Sequence, residues 1–255
     1  MRRLFVSLVL TMLSTHQVMA WGEQGHSIVA EIAQRRLADN AASMVQKLLG
    51  QAGSPGYSTP SLASVSAWAD DVRYTTHRFS EPWHYVNAPL SGSIAIDRDC
   101  AAPRGCVVSA LQSLRNELRC GADDGKKADA LRFAVHFVGD IHQPFHTVLE
   151  GQGANQVHVN IEFGGKICDG RTCLLKESRE NLHTVWDTTL ITKTFYNWGA
   201  YVSYLEDGWL KSMEAQADVV DDPLSWADGA HLLAKDSLCR MVRRSNVHTM
   251  CGPSQ

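Results

Sequence analysis

The stretch Ala128–His146 reads ADALRFAVHFVGDIHQPFH and joins a helical apolar pattern to several side chains that can bind metal ions. Its part from Ala128 to Val138 is strongly apolar, which predicts a central buried helix. His136 and Asp140 are four residues apart, so they project from the same helix face. Such polar side chains are costly in an apolar helix unless they are paired or bound to metal. Pro144 is expected to break the helix.

A second histidine and aspartate with the same spacing, His183 and Asp187, lie in a segment predicted as helix, Glu177–Leu190. One such pair arises often by chance or as an ion pair, whereas two pairs, each in a mainly apolar helix, are harder to attribute to chance. Further candidate ligands are His26, Asp70, His84 and His146. Taken singly, each could be a helix-start, core or salt-bridged residue. Together they supply only imidazoles and carboxylates, the ligand set of hydrolytic zinc.

The rest of the chain is also mainly helical in pattern. Apolar residues at helical spacing predict helices over His26–Leu37, Leu62–Val72, Val107–Leu118, Tyr201–Val219 and Leu224–Val242. Alternation over Val157–Phe163 predicts one strand, which could return through Lys166–Cys168 as a small hairpin. Gly50–Pro60 and Asn87–Pro103 are predicted loops. The expected fold is mainly α, a single-domain helical bundle with a small β-hairpin.

The N-terminus has the features of a secretory signal peptide. Arg2 and Arg3 precede the apolar stretch Leu4–Leu13, which is too short to span a bilayer, and Val18-Met19-Ala20 supplies a cleavage site. Cleavage would divide the chain into residues 1–20 and a mature domain, 21–255, that begins with Trp21. An uncleaved anchor is the alternative. We expect a secreted or periplasmic monomer without stable membrane association.

The mature chain is expected to be mildly acidic. The full sequence has 24 basic and 27 acidic residues, and loss of two arginines would change the net charge from −3 to −5. This charge argues against a polycationic nucleic-acid binder, so any attraction for polyanions must be local.

Seven cysteines in an exported chain predict disulfide bonds. The plausible pairs are close in sequence: Cys100 with Cys106, Cys168 with Cys173, and Cys239 with Cys251. Cys120 would then remain unpaired. A zinc–cysteine site is the competing interpretation, but the sequence contains no Cys-x-x-Cys motif.

Five sequence motifs together resemble the S1/P1 nuclease family, the zinc-dependent single-strand-specific nucleases. The motifs are Trp21-Gly22 with His26, Trp68-Ala69-Asp70, His84-Tyr85, the segment from His136 to His146, and Asn181–Asp187. The resemblance runs from Trp21 to about Val242. It implies a mainly helical fold of the phospholipase C and nuclease type, with three buried zinc ions.

Carried over by position, the resemblance also implies three ligand groups. One zinc ion would be held by Asp70, His84, His136 and Asp140, and a second by His146, His183 and Asp187. The third would be held by His26, Asp140 and the amine and carbonyl of Trp21, so that Asp140 bridges two ions. An α-amine has a pKa of about 7.7–8.0 and can bind metal near neutrality. Three Zn²⁺ ions and three aspartates leave a charge of roughly +3, which can attract a phosphodiester.

The resemblance further implies hydrolysis of single-stranded DNA and RNA to products with 5′-phosphates, together with 3′-nucleotidase activity on nucleotides. Asp70, Asp140 and Arg73 would be the catalytic residues, with Arg73 contacting the phosphate; a salt bridge to Asp70 or Asp71 is its alternative role. Substrate-binding positions correspond to Tyr85, Asn87 and Asn155. Asn87 stands where relatives often have aspartate, which leaves base preference open.

Two other functions compete with this one. A zinc phospholipase C shares the N-terminal tryptophan and the three-zinc helical fold, but it typically ends its ligand series in glutamate, where this chain has Asp187. A non-catalytic zinc-binding protein is the second alternative. Three or four protein ligands for each ion would leave room for water, which favours catalysis.

Overall fold

A computed structural model describes residues 21–51, 60–162, 167–168, 173–174, 177–195, 197–212 and 221–245. The described α-helices are α1 (Glu23–Gln34), α2 (Asp39–Gln51), α3 (Leu62–Val65), α4 (Trp68–Val72), α5 (Ile96–Asp99), α6 (Val107–Cys120), α7 (Asp124–His142), α8 (Leu182–Thr184), α9 (Leu190–Thr192), α10 (Trp198–Asp207) and α11 (Pro223–Ser245). Short 3₁₀ helices cover Arg78–His84, Pro144–Thr147 and Trp209–Lys211. The expected mainly α fold is confirmed.

Helix α7 lies at the centre, where α1, α2, α4, α6 and α11 all pack against it. It begins where the Asp123 side chain accepts a hydrogen bond from the Lys126 amide, an N-cap that satisfies a free helix donor. It ends at Gln143, which is extended because the following Pro144 disfavours helical geometry. Phe133 and Phe137 on this helix are buried in the largest apolar cluster. The predicted central helix is thus confirmed and is longer than Ala128–Val138.

Helix α1 packs against other helices on two of its sides. Ala30 packs with Leu49 of α2 and with Leu62 and Val65 of α3, and this cluster continues onto α7 through Leu131 and Val135. Its other side, through Ile28, contacts Val202 of α10. Helix α2 was not among the predicted helices. The predicted helix Leu62–Val72 is two short helices, because Ser66 and Ala67 separate α3 from α4.

The hairpin differs from the prediction in its pairing. Strand β1 (His158–Glu162) is antiparallel to β4 (Glu177–Asn181), and His158 lies opposite Asn181. The predicted return segment contributes β2 (Ile167–Cys168), which instead pairs with β3 (Cys173–Leu174). The prediction of helix from Glu177 was therefore wrong, because pairing with β1 overrides local propensity. Helix begins only at Leu182, where the Asn181 side chain accepts from the Thr184 amide.

Residues 182–192 form one continuous helical segment with an irregular centre. Helices α8 and α9 flank a π-helical turn at Val185–Thr189. π-Helical turns are rare and often occur at functional sites. The predicted helix Tyr201–Val219 was too long: α10 ends at Asp207, before Gly208, and residues 213–220 lie outside the described residues.

Two loops lie near the ligand candidates. The predicted loop Asn87–Pro103 contains the short helix α5, and Ala88 forms a parallel bridge with Val148. Gly151–Ala154 forms one turn with four successive positive φ angles of 57°, 55°, 62° and 62°, a left-handed turn. Left-handed backbone costs about 1–2 kcal/mol per non-glycine residue, so Gln152 and Ala154 are strained. Most of the predicted loop Gly50–Pro60, residues 52–59, is outside the described part.

The cysteine predictions are met in part. Cys100 and Cys106 form a disulfide bond, as expected, and Cys120 is free and exposed. The backbones of Cys168 and Cys173 lie opposite each other between β2 and β3, but their side chains are outside the described residues. The predicted Cys239–Cys251 pair is also outside, because Cys251 is not described. No helix in the described ranges is long and apolar enough to cross a membrane.

Candidate metal centre

Eight side chains predicted as metal ligands converge in the interior, although they are spread in sequence from residue 26 to residue 187. Each has at most 5% of its surface exposed. They are His26 on α1, Asp70 on α4, His84 at the end of a 3₁₀ helix, His136 and Asp140 on α7, His146 in the 144–147 turn, and His183 and Asp187 in the 182–192 segment. These eight side chains, distant in sequence, form one buried polar cluster.

Asp140 lies at the middle of this cluster and is completely buried. Its Oδ2 is 3.0 Å from Nδ1 of His84 and 3.2 Å from Nε2 of His136. Its Oδ1 is 3.4 Å from Nε2 of His26 and 3.7 Å from Nδ1 of His146. The two oxygens therefore face different imidazoles, which is the arrangement required of a carboxylate that bridges two ions.

Asp70 closes one side of the first group. Its Oδ1 lies 3.6 Å from Nδ1 of His84 and 3.6 Å from Nε2 of His136. Ligand atoms of His84, His136 and Asp140 lie within 4.8 Å of one another, and so do those of His26, Asp70 and His136. The structure thus gathers the expected ligands, and it places His26 as close to Asp70 and His136 as a shared ion would require.

His146, His183 and Asp187 form a separate group, and their ligand atoms also lie within 4.8 Å of one another. Nε2 of His183 is 3.1 Å from Oδ2 of Asp187, and Nε2 of His146 is 3.9 Å from Oδ1 of the same carboxylate. The His146 and His183 rings stack with centroids 5.0 Å apart. This group matches the second ligand set that the resemblance implied.

Backbone carbonyls orient three of the imidazoles. Nδ1 of His136 donates to Ser66 O at 2.7 Å, Nδ1 of His146 to His84 O at 2.8 Å, and Nδ1 of His183 to Gly153 O at 2.6 Å. When the ring is neutral, this hydrogen bond leaves the lone pair on Nε2, as in metal-ligating histidines. Within the described part of the chain, Nε2 of His146 and His183 and Oδ1 of Asp140 are buried without a hydrogen-bond partner. Unpartnered buried acceptors that face one another fit a bound cation.

The electrostatics of the cluster also favour a cation. Burial opposes ionisation of Asp140, but His136, His26 and His84 hold the pKa of this carboxyl well below its usual range. Burial likewise opposes protonation of His136, yet Asp140 raises its pKa to about 9. Burial lowers the pKa of His146 to about 3, so this imidazole is neutral. Since a dication binds anionic carboxylates and neutral imidazoles, its binding would release the His136 proton.

Two glycines make the close approaches possible. A Cβ at Gly139 would lie 2.7 Å from Nδ1 of His26, so glycine is needed for α1 to approach α7 and for the His26 ring to stack on His136 at 3.8 Å. Gly153 has φ +62°, and a Cβ there would lie 2.7 Å from Phe145 O. The left-handed turn thus brings the Gly153 carbonyl to His183.

Trp21 lies two residues before the start of α1, next to Gly22, which contacts the second group. The Gly22 amide donates to Asp187 O at 2.8 Å, which anchors the residues before α1 to the π-helical turn. The Trp21 side chain packs with Ile28 and Ile191. This anchoring is compatible with a role for the Trp21 amine as a ligand.

The expected substrate-binding residues occupy two places. Tyr85 and Asn87 line a cleft of about 210 Å³ together with Arg98, Arg104 and the disulfide-bonded Cys106. Tyr85 is half-buried and donates to Glu81 Oε1 at 2.9 Å; burial raises its pKa to about 12, so the phenol is neutral. Asn155 is not among the residues that line this cleft and donates instead to Gln152 O in the left-handed turn.

Arg73 is buried and ion-paired with Asp70, NH1 to Oδ1 at 3.1 Å. This is the salt bridge weighed as its alternative role, and it also holds the guanidinium next to the ligands. His142 is exposed, and its Nδ1 donates to Val138 O at the end of α7. The carbonyls of Ser66, His84 and Gly153 were not predicted, because every residue has a carbonyl and no side-chain pattern marks those that meet an imidazole.

Comparison with known proteins agrees with this geometry. A family model described as S1/P1 Nuclease matches residues 21–249. Nuclease S1 of Aspergillus oryzae is 32% identical over 254 residues, which cover 91% of this chain and 81% of that protein. Nuclease P1 of Penicillium citrinum is 32% identical over 199 residues, 76% of this chain and 65% of that protein. Endonuclease 2 of Arabidopsis thaliana is 32% identical over 185 residues, which cover 68% of this chain and 57% of the plant protein. The chain is therefore a nuclease that belongs to the S1/P1 nuclease family.

Proposed function

We propose that this chain is a secreted or periplasmic, zinc-dependent endonuclease that cleaves single-stranded DNA and RNA to products with 5′-phosphates. The observation that carries the proposal is the buried cluster of five histidines and three aspartates, in which lone pairs and carboxylate oxygens face one another. Imidazole and carboxylate ligands without thiolate suit hydrolytic zinc. We assign three Zn²⁺ ions, with the ligand groups implied by the resemblance and with Trp21 as an N-terminal ligand.

Single-strand preference is supported by the depth of the site. His136 and Asp140 are fully buried, so a phosphodiester within an intact duplex would be held away from them by the width of the helix. A flexible strand can enter a recess and stack a base on an aromatic ring. Tyr85 directly follows the candidate ligand His84 in sequence, and it lines a cleft that offers an aromatic ring to a base.

The side chains divide the chemical work as follows. Bound Zn²⁺ would supply Lewis-acid polarisation of the phosphoryl group and activation of water near neutral pH. Asp140 and Asp70 would hold the ions in a fixed relation, and Arg73, anchored by Asp70, would neutralise charge that develops on the phosphoryl oxygens. Departure of the O3′ oxygen would leave the 5′-phosphate. Removal of a 3′-phosphate from a nucleotide breaks the equivalent bond, which supports a 3′-nucleotidase activity.

The proposal is tested with the purified mature chain on single-stranded DNA, RNA, duplex DNA and phosphatidylcholine vesicles. We expect rapid cleavage of the single strands, slow cleavage of the duplex, 5′-phosphate ends by mass spectrometry, loss of activity with EDTA and recovery with Zn²⁺. Hydrolysis of phosphatidylcholine without nuclease activity would support a phospholipase C instead. A fully zinc-loaded chain inactive on all four substrates would support a non-catalytic zinc-binding protein.

Arg73→Ala should lower kcat for single-stranded DNA about 10²–10³-fold, the usual effect of removing one preorganised donor at a developing charge. Zinc content should stay at the wild-type value, because no imidazole or carboxylate is removed. Stopped-flow kinetics and metal analysis by mass spectrometry measure the two quantities. Arg78→Ala is the matched control, since Arg78 is exposed and donates to the nearby Tyr74 O. An unchanged kcat in Arg73→Ala would remove this arginine from the mechanism.

A further inference from the structure

Gln143 is completely buried between two candidate ligands, three residues after Asp140 and three before His146. It is the last residue before Pro144 and links α7 to the 144–147 turn. A buried amide side chain needs partners for both its oxygen and its nitrogen. Neither atom of the Gln143 amide is left unpaired.

The two hydrogen bonds fix which way the amide points. Gln143 Oε1 accepts from the Phe145 amide at 2.5 Å, and Gln143 Nε2 donates to Oδ1 of Asp187. A backbone N–H can only donate and a carboxylate can only accept. Rotating the amide by half a turn would therefore place donor against donor and acceptor against acceptor, so only one orientation is compatible with both partners.

The hydrogen bond from Gln143 fixes one of the two oxygens of the Asp187 carboxylate. Oδ1 accepts from Gln143 and lies 3.9 Å from Nε2 of His146, while Oδ2 lies 3.1 Å from Nε2 of His183. The amide thus restricts rotation of the carboxylate. Because Gln143 directly follows α7, its hydrogen bond to Asp187 also connects the 182–192 segment to the helix that carries Asp140.

We propose that Gln143 is a positioning residue for the metal group formed by His146, His183 and Asp187, and that it acts by orienting the Asp187 carboxylate. The inference rests on the proposed function, which makes these three residues metal ligands. Partners that orient metal ligands typically contribute 10–100-fold to metal affinity. The effect should be confined to this group, since Gln143 makes neither of its side-chain hydrogen bonds to a ligand of the other ions.

The test is the zinc affinity of Gln143→Met, measured by chelator competition, together with metal content and the absorption spectrum of the Co²⁺-loaded protein. Met has a similar length and neither donates to Asp187 nor accepts from Phe145. We expect one ion to bind about 10–100-fold more weakly, the others to bind as in wild type, and one set of Co²⁺ bands to change. Gln143→Asn, which is too short to reach Asp187, should show the same selective loss and serves if the Met variant does not fold.

Thr147→Val is the matched control for loss of stability alone. Thr147 is fully buried in the same turn and donates to Pro144 O at 2.6 Å, but it has no bond to Asp187. It should lower the melting temperature and leave all metal affinities unchanged. Wild-type affinity in both Gln143 variants would overturn the inference and leave the proposed function standing. A wild-type chain that binds no zinc would instead refute the proposed function.

Discussion

Asp140→Asn is expected to reduce cleavage of single-stranded DNA on the order of 10⁴-fold, comparable to losing one member of a catalytic unit, and to reduce the zinc content. The substitution keeps the shape of the side chain but replaces one carboxylate oxygen by an NH₂ group. Whichever way the amide is turned, that group faces two imidazoles: His84 and His136 on one side, or His26 and His146 on the other. It cannot accept from them or bind a cation, and one negative charge is lost.

The control for this prediction is Asp71→Asn. Asp71 is exposed on α4, next to the candidate ligand Asp70, and loses the same charge by the same change of atoms. Activity and zinc content should stay within about twofold of wild type, as is usual for surface substitutions. If Asp140→Asn retained three ions and a tenth or more of the activity, Asp140 could not be the bridging carboxylate, and the assignment of ligand groups would have to change.

The parts of this fold that depend on local sequence were predictable. The apolar face of α7 follows from the spacing of its apolar residues, and the end of the helix follows from the pyrrolidine ring of Pro144. Both features are observed. The i, i+4 spacing of His136 and Asp140 also ensured a shared face, and they lie 3.2 Å apart, Nε2 to Oδ2. These features need no knowledge of the rest of the chain.

Other parts depend on partners distant in sequence and could not be read from spacing. Glu177–Asn181 has no apolar alternation to predict a strand, and it becomes extended because β1 lies beside it. The π-helical turn that carries Asp187 likewise leaves no trace in the apolar pattern. For His26 and His84, the apolar periodicity could predict no more than the side of a helix on which each residue lies. Their convergence on Asp140 was inferred from the resemblance to a family. Position 139 shows why spacing alone is not enough. It must be glycine because His26, 113 positions earlier in the chain, packs against it.

The proposed N-terminal ligand, the α-amine of Trp21, gives the second large expected effect. Adding one alanine before Trp21 should remove one zinc ion and lower activity at least about 100-fold, the upper end of what loss of an outer partner alone costs. A free α-amine with a pKa near 8 can lose a proton and bind zinc, whereas an amide nitrogen in a peptide bond cannot do so near neutrality. The hydrogen bond from the Gly22 amide to Asp187 O holds Trp21 beside the second ligand group. The family match also begins at residue 21.

Two proteins are compared in this test, both made with defined N-termini that are verified by mass spectrometry. One begins with Trp21 and carries an extra alanine after Gln255; the other begins with alanine followed by Trp21. They have the same composition and differ only in where the added residue stands, so a difference in zinc content or kcat reports on the amine itself. Equal zinc content and equal activity would exclude the N-terminal amine as a ligand. The site would then have to be built from the eight buried side chains alone, with His26 joining Asp70 and His136, to which its ring nitrogens already lie close.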